Sequence, residues 1–247
     1  MDRTTNSALR LHHMLLALRD ASREGRPIRQ VLAEVFELQP DDDLALRRRL
    51  LAVDDLFVQA EAAMRSIPGI DLQRYLRHFP AARKALLGAR LDQDSHRYAP
   101  FQEALGEAVC KSVEFCGARI GEEFPETALT TDDLGEVEAR LNALFAFTAS
   151  AELDPALRAV SLDILQALRA ALADYRIHGA AGLKEAVEQA VGKLTVHYLR
   201  ARKQGTRLDL DQLERLLDLI FKFEALLAKA TVYLPALTEY LPKLLGA

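Results

Sequence analysis

One stretch of the chain repeats apolar side chains at a spacing that places them on a single helix face. Between residues 43 and 67 the apolar positions advance alternately by four and three residues, which is a heptad pattern: Leu46, Leu50, Val53, Phe57, Ala60, Met64 and Ile67. An α-helix aligns such positions in one stripe, whereas a strand would scatter them over both faces. The pattern therefore predicts a long amphipathic helix. Asp54 and Asp55 are predicted to face solvent.

Capping and helix-breaking residues divide the rest of the chain into further segments with helical periodicity. We predict helices over 7–24, 27–38, 41–67, 71–78, 80–88, 100–119, 131–149, 155–177, 183–203 and 209–245. No alternation of apolar and polar residues is long enough to indicate a strand, and Leu with Ala makes up about a third of the 247 residues. The sequence predicts an all-α, multi-helix bundle of about ten helices, with at least about 60% of its residues helical and essentially no sheet.

A polar stretch over residues 88–98 separates two groups of predicted helices. We interpret it as a linker between an N-terminal helical subdomain (1–98) and a C-terminal helical bundle (99–247). A chain of this length also fits one continuous domain, so that alternative stays open.

Charge and cysteine content favour a cytoplasmic protein. The net charge is −4, whereas a nucleic-acid-binding domain is usually basic, so nucleic acid is an unlikely partner. Cys110 and Cys116 lie six residues apart on one predicted helix, too far along its axis to form a disulfide, and we predict inert core thiols. No apolar run reaches the 18 residues of a membrane-spanning helix, which makes a membrane partner unlikely.

The usual catalytic and metal-binding patterns are absent from the sequence. No Glu-x-x-His pair, H-E-x-x-H motif or Gly-x-Ser-x-Gly motif occurs. Asp92/His96 and Asp174/His178 have the spacing of neighbours on a helix, and such pairs are more often ion pairs than metal ligands. We therefore predict no metal site, no cofactor and no catalytic residue.

An enzymatic alternative rests on one pair of residues. Arg90 and His96 match the Arg-x4–6-His spacing of HEPN-type helical ribonucleases, in which the His acts as acid and base and the Arg stabilises phosphate charge. With six histidines in an arginine-rich chain, at least one such match is expected by chance. The alternative reading is a metal-independent ribonuclease.

Basic residues cluster near the end of the helix predicted over 183–203. The stretch from 189 to 208 holds five basic residues and no acidic one: Lys193, Arg200, Arg202, Lys203 and Arg207. One interpretation is a patch that contacts phosphate or an acidic partner. The other is a helix C-terminus whose carbonyl groups attract cations.

The C-terminal segment is the surface that the sequence most favours for association. Apolar residues surround the helix predicted from 209 and continue to the chain end, and those expected to bind a partner are Tyr233, Leu234, Leu237, Tyr240 and Leu241. Such a segment is buried in its own bundle, in a second copy or in another protein. We predict a non-enzymatic protein-interaction module (adaptor, scaffold or regulator). A membrane-surface effector is a further alternative.

Overall fold

A computed structural model of the protein describes residues 4–21, 26–91, 105–124, 126–204 and 209–230. Helices account for 82% of these residues. Two strands of two residues each accompany them, β1 (Thr4–Thr5) and β2 (Glu126–Thr127). The predicted all-α, multi-helix fold is confirmed.

The helix boundaries follow the capping residues closely. In chain order the helices are α1 (Ser7–Asp20), α2 (Ile28–Phe36), α3 (Asp43–Ser66), α4 (Leu72–Leu76), α5 (Phe79–Leu87), α6 (Glu107–Glu123), α7 (Thr131–Ser150), α8 (Pro155–Ala173), α9 (Tyr175–Gln204) and α10 (Leu210–Lys229). Asp42 caps α3 by accepting the Ala45 N–H at 2.9 Å, as its place in the Asp41–Asp43 cluster predicts. The break predicted at 179–182 is limited to Gly179, whose φ of 60° is non-helical, and α9 continues beyond it.

The described residues divide into two compact units, those between 4 and 124 (the N-terminal unit) and those between 126 and 230 (the C-terminal unit). Helix α6 belongs to the N-terminal unit because it packs against α1 and α3. Residues 88–91 of the predicted linker lie in this unit, and the rest of the linker lies outside the described residues. The predicted division into 1–98 and 99–247, with its single-domain alternative, stays a prediction.

The heptad stripe of α3 forms the centre of the N-terminal unit. Each of its seven side chains is buried, with Phe57 fully enclosed and edge-on to Phe79 at 5.0 Å between ring centroids. Helices α1 and α6 approach closely at Gly117, where a Cβ atom would lie 2.6 Å from Leu9 Cδ2. Asn6 Nδ2 donates to the Gly117 carbonyl at 2.9 Å, which closes this crossing.

Asp54 does not face solvent, so that prediction is wrong for this residue. Its side chain is buried on α3, and both carboxylate oxygens accept hydrogen bonds from Arg83 of α5, at 2.6 and 2.9 Å. Donation of this hydrogen bond to Asp54 raises the pKa of the Arg83 guanidinium. Asp55, the next residue, is exposed as predicted.

The two cysteines are buried free thiols on α6, as predicted. Burial raises the pKa of Cys110 and raises that of Cys116 to about 12. A thiol that remains protonated at neutral pH is a poor nucleophile. These residues therefore contribute to the core of the N-terminal unit and not to a reactive site.

Four helices, α7 to α10, enclose the core of the C-terminal unit. Helix α8 contacts α7 and α9, and α10 contacts the same two helices. The apolar residues that surround α10 are mostly buried there: Leu213, Leu216, Leu217, Leu219, Ile220, Phe223, Leu226 and Leu227. The described part of the 209–245 segment is therefore a core helix of its own bundle, and only its outer face is left for association.

Candidate functional site

The residues predicted from sequence to form a site are only partly described. Arg90 is exposed beyond the end of α5, and its proposed partner His96 lies outside the described residues. The same holds for Arg207 and for the predicted partner-binding residues Tyr233, Leu234, Leu237, Tyr240 and Leu241. The pair and the C-terminal surface remain predictions.

The basic patch on α9 is described except for Arg207. Lys193 forms an ion pair with Asp163 of α8 at 2.7 Å. Arg200, Arg202 and Lys203 are exposed in the last turns of α9, where cations stabilise the helix dipole. Val196 and Leu199 are also exposed beside them. The phosphate or acidic-partner role of this patch stays a prediction.

A groove opens between α7 and α10 on the C-terminal unit, with a volume of about 690 Å³. We call it the α7–α10 groove. Its walls combine apolar and charged side chains from the two helices: Arg140, Ala143, Leu144, Phe147, Asp211, Glu214, Arg215, Asp218 and Leu219. A concave surface of this volume is in the range of protein ligand sites, about 300–1,000 Å³.

The two helices that form the groove are held together at both ends. Near one end, Gln212 Nε2 donates to the Thr148 hydroxyl at 2.9 Å, and that hydroxyl donates to the Leu144 carbonyl at 2.8 Å. Near the other, Lys229 Nζ contacts Asp133 at 2.6 Å. This hydrogen bond and those from Thr130 hold the pKa of Asp133 well below its usual range. Hydrogen bonds near both ends thus join the two antiparallel helices that form the groove.

Phe147 and Arg140 lie on the α7 side of the groove, and Arg215 lies on the α10 side. Phe147 is 38% exposed, and the guanidinium of Arg215 stacks over its ring at 4.5 Å from the centroid. Arg140 is held by Glu136 at 3.3 Å and by Asp218 at 3.9 Å. Both arginines are therefore engaged within the groove.

The α10 side presents three exposed carboxylates, Asp211, Glu214 and Asp218. Their spacing of three and four residues places them on one face of the helix. Asp218 faces Arg140, whereas Asp211 and Glu214 form no ion pair among the residues that the structure describes. The groove thus has an apolar floor and an excess of negative charge along one edge.

Sequence reasoning missed this groove, although one signal for it is present. The buried stripe of α7 runs through Val137, Leu141, Leu144 and Thr148, and Phe147 falls beside it. An aromatic residue at a position facing solvent is a weak indication of a binding surface. The pairing of this face with the acidic face of α10 depends on the tertiary fold.

The groove contains groups suited to reversible binding: ion pairs, a cation–π contact and apolar surface. Within the described ranges, no three His, Cys, Asp or Glu side chains converge to hold a metal ion. None of the described helices combines the length and apolar character needed to cross a membrane.

Comparisons with family models, curated proteins and solved structures find no match to this chain.

Proposed function

We propose that the protein is a protein-interaction module, an adaptor or scaffold, whose α7–α10 groove receives a basic amphipathic helix of a partner protein. The observation that carries this proposal is the apolar floor around Phe147 flanked by the carboxylates of α10. Grooves between helices commonly bind the apolar face of another helix, with anchor residues spaced three or four apart.

The apolar part of the groove supplies the contact area. Phe147, Ala143 and Leu144 lie on consecutive turns of α7, so they can cover two neighbouring anchor side chains of a bound helix. Aromatic residues in such positions contribute strongly to binding because they bury a large apolar area with little loss of conformational freedom.

The charges of the groove favour a basic partner. Arg140 and Arg215 are engaged by groups of the protein itself, whereas Asp211 and Glu214 form no ion pair in the part of the chain described here. Lys or Arg side chains on a bound helix would pair with these carboxylates. Each exposed pair contributes about 0.2–1 kcal/mol, so charge selects the partner while apolar contact supplies most of the affinity.

Two synthetic helical peptides test this assignment by calorimetry. They share the same Leu positions and differ only in carrying Lys or Glu beside them. We expect the wild-type protein to bind the Leu/Lys peptide at least tenfold more tightly than the Leu/Glu peptide. The double variant Asp211→Lys/Glu214→Lys should reverse the preference.

Phe147→Ala should weaken binding of the Leu/Lys peptide about tenfold, which corresponds to roughly 1.4 kcal/mol. Phe221→Ala is the matched control, because Phe221 is also 38% exposed on α10 but does not line the groove. Equal binding of the two peptides, or equal effects of the two Phe variants, would refute the assignment. A wild-type dimer by light scattering that Phe147→Ala converts to a monomer would show that the occupant is a second copy instead.

A further inference from the structure

The N-terminal unit carries a second concave site, between α4 and α6, which we call the α4–α6 pocket. Its volume is about 470 Å³, and it is lined by Arg74, Tyr75, Arg77, His78, Ala108, Lys111, Ser112 and Phe115. Positively charged and aromatic side chains dominate this lining in a chain whose net charge is −4. The pocket is therefore a local exception to the charge of the protein.

The cations of the pocket are incompletely neutralised. Lys111 forms an ion pair with Glu107 at 2.7 Å. Arg77 donates through Nε to His78 Nε2 at 2.8 Å, which is not a carboxylate. Arg74 has no carboxylate partner for its guanidinium among the described residues, and Asp71 accepts only from its backbone N–H. Two guanidinium groups thus retain donors for a ligand.

Two aromatic rings lie beside these donors. Phe115 is 63% exposed on α6, the largest exposed fraction among the large apolar residues of the described chain. Tyr75 is partly buried, and its carbonyl oxygen accepts the hydroxyl proton of Ser112, which joins α4 to α6. A flat ring of a ligand can therefore stack on Phe115 while its charged group reaches the arginines.

We propose that the α4–α6 pocket binds a phosphate monoester joined to an aromatic ring, with a nucleoside monophosphate as the representative ligand. A phosphate dianion offers several acceptor oxygens in the geometry that guanidinium groups bind in a bidentate manner. The two negative charges of the phosphate match the two positive charges of Arg74 and Arg77, which remain after Glu107 neutralises Lys111. The volume lies within the range of about 300–1,000 Å³ that small-molecule sites occupy, and a base would cover the exposed Phe115 ring.

Calorimetry with adenosine monophosphate, adenosine and inorganic phosphate separates the contributions of the two halves of the ligand. We expect the monophosphate to bind at least tenfold more tightly than either adenosine or phosphate alone. Its affinity should fall as ionic strength rises, because screening weakens the interaction between phosphate and arginine. Equal affinity for the monophosphate and adenosine, or for the monophosphate and inorganic phosphate, would refute the proposal.

Substitutions of residues that line the pocket test whether the monophosphate binds there. Arg74→Gln and Arg77→Gln should each weaken binding of the monophosphate at least fivefold. Phe115→Ala should weaken binding of the monophosphate without changing the affinity for inorganic phosphate. Arg47→Gln is the control, since Arg47 is an exposed arginine of the same unit outside the pocket. An Arg74→Gln/Arg77→Gln protein that binds as tightly as the Arg47→Gln protein would contradict the assignment.

Discussion

Replacement of Phe57 by alanine is expected to lower the free energy of unfolding of the N-terminal unit by about 3–5 kcal/mol, the cost typical of removing a buried phenyl ring. Phe57 is fully buried in the stripe of α3, and its replacement removes the edge-on contact between its ring and that of Phe79 of α5. The surrounding helices can fill only part of the resulting cavity. Since a domain is stable by about 5–15 kcal/mol, this one change removes a large fraction of its stability.

Urea denaturation followed by circular dichroism measures this loss. Phe115→Ala provides the control, because that ring is 63% exposed and its removal should change stability by less than about 0.5 kcal/mol. A Phe57→Ala protein within about 1 kcal/mol of the wild type would mean that α3 is not the central helix of the N-terminal unit.

Asp54→Asn should destabilise the same unit by about 2 kcal/mol. The carboxylate accepts two hydrogen bonds from Arg83, and a hydrogen bond to a charged group contributes about 1.5–3 kcal/mol to stability. Because the Arg83 side chain is 32% exposed, water can replace part of the lost hydrogen bonding. The loss in free energy of unfolding therefore stays below that for breaking a fully buried ion pair.

Asp55→Asn is the matched control, since the two residues are adjacent on α3 and only Asp54 is buried. Its effect should stay within about 0.5 kcal/mol. A double-mutant cycle with Arg83→Gln should give a coupling energy of at least about 1 kcal/mol. Equal effects of Asp54→Asn and Asp55→Asn would contradict the pairing.

The helices could be predicted from sequence because their signals are local. The stripe of α3, its cap at Asp42 and the Thr130 capping box of α7 all lie within a few residues of the structure that they specify. The end of α2 at Glu37, with a φ of 56°, departs from the expected end at Leu38 by one or two residues, which is the usual uncertainty of helix ends.

The long-range contacts could not be predicted. Asp54 and Arg83 are separated by 29 residues, and nothing in the local pattern distinguishes Asp54 from Asp55. The close crossing at Gly117 likewise depends on Leu9, far away in the chain. The α7–α10 groove results from the faces that two distant helices leave uncovered, so its residues carry no sequence motif.

Photo-crosslinking from the α7–α10 groove, in the cells that naturally produce the protein, tests the proposed function most directly. A photoreactive phenylalanine analogue is placed at Phe147 or, as the control, at the equally exposed Phe221, and mass spectrometry maps the linked peptide. We predict an adduct at position 147 alone, on a segment of another protein with apolar residues spaced three or four apart and Lys or Arg beside them. Adducts of equal yield at both positions, or an acidic segment linked at 147, would contradict the account.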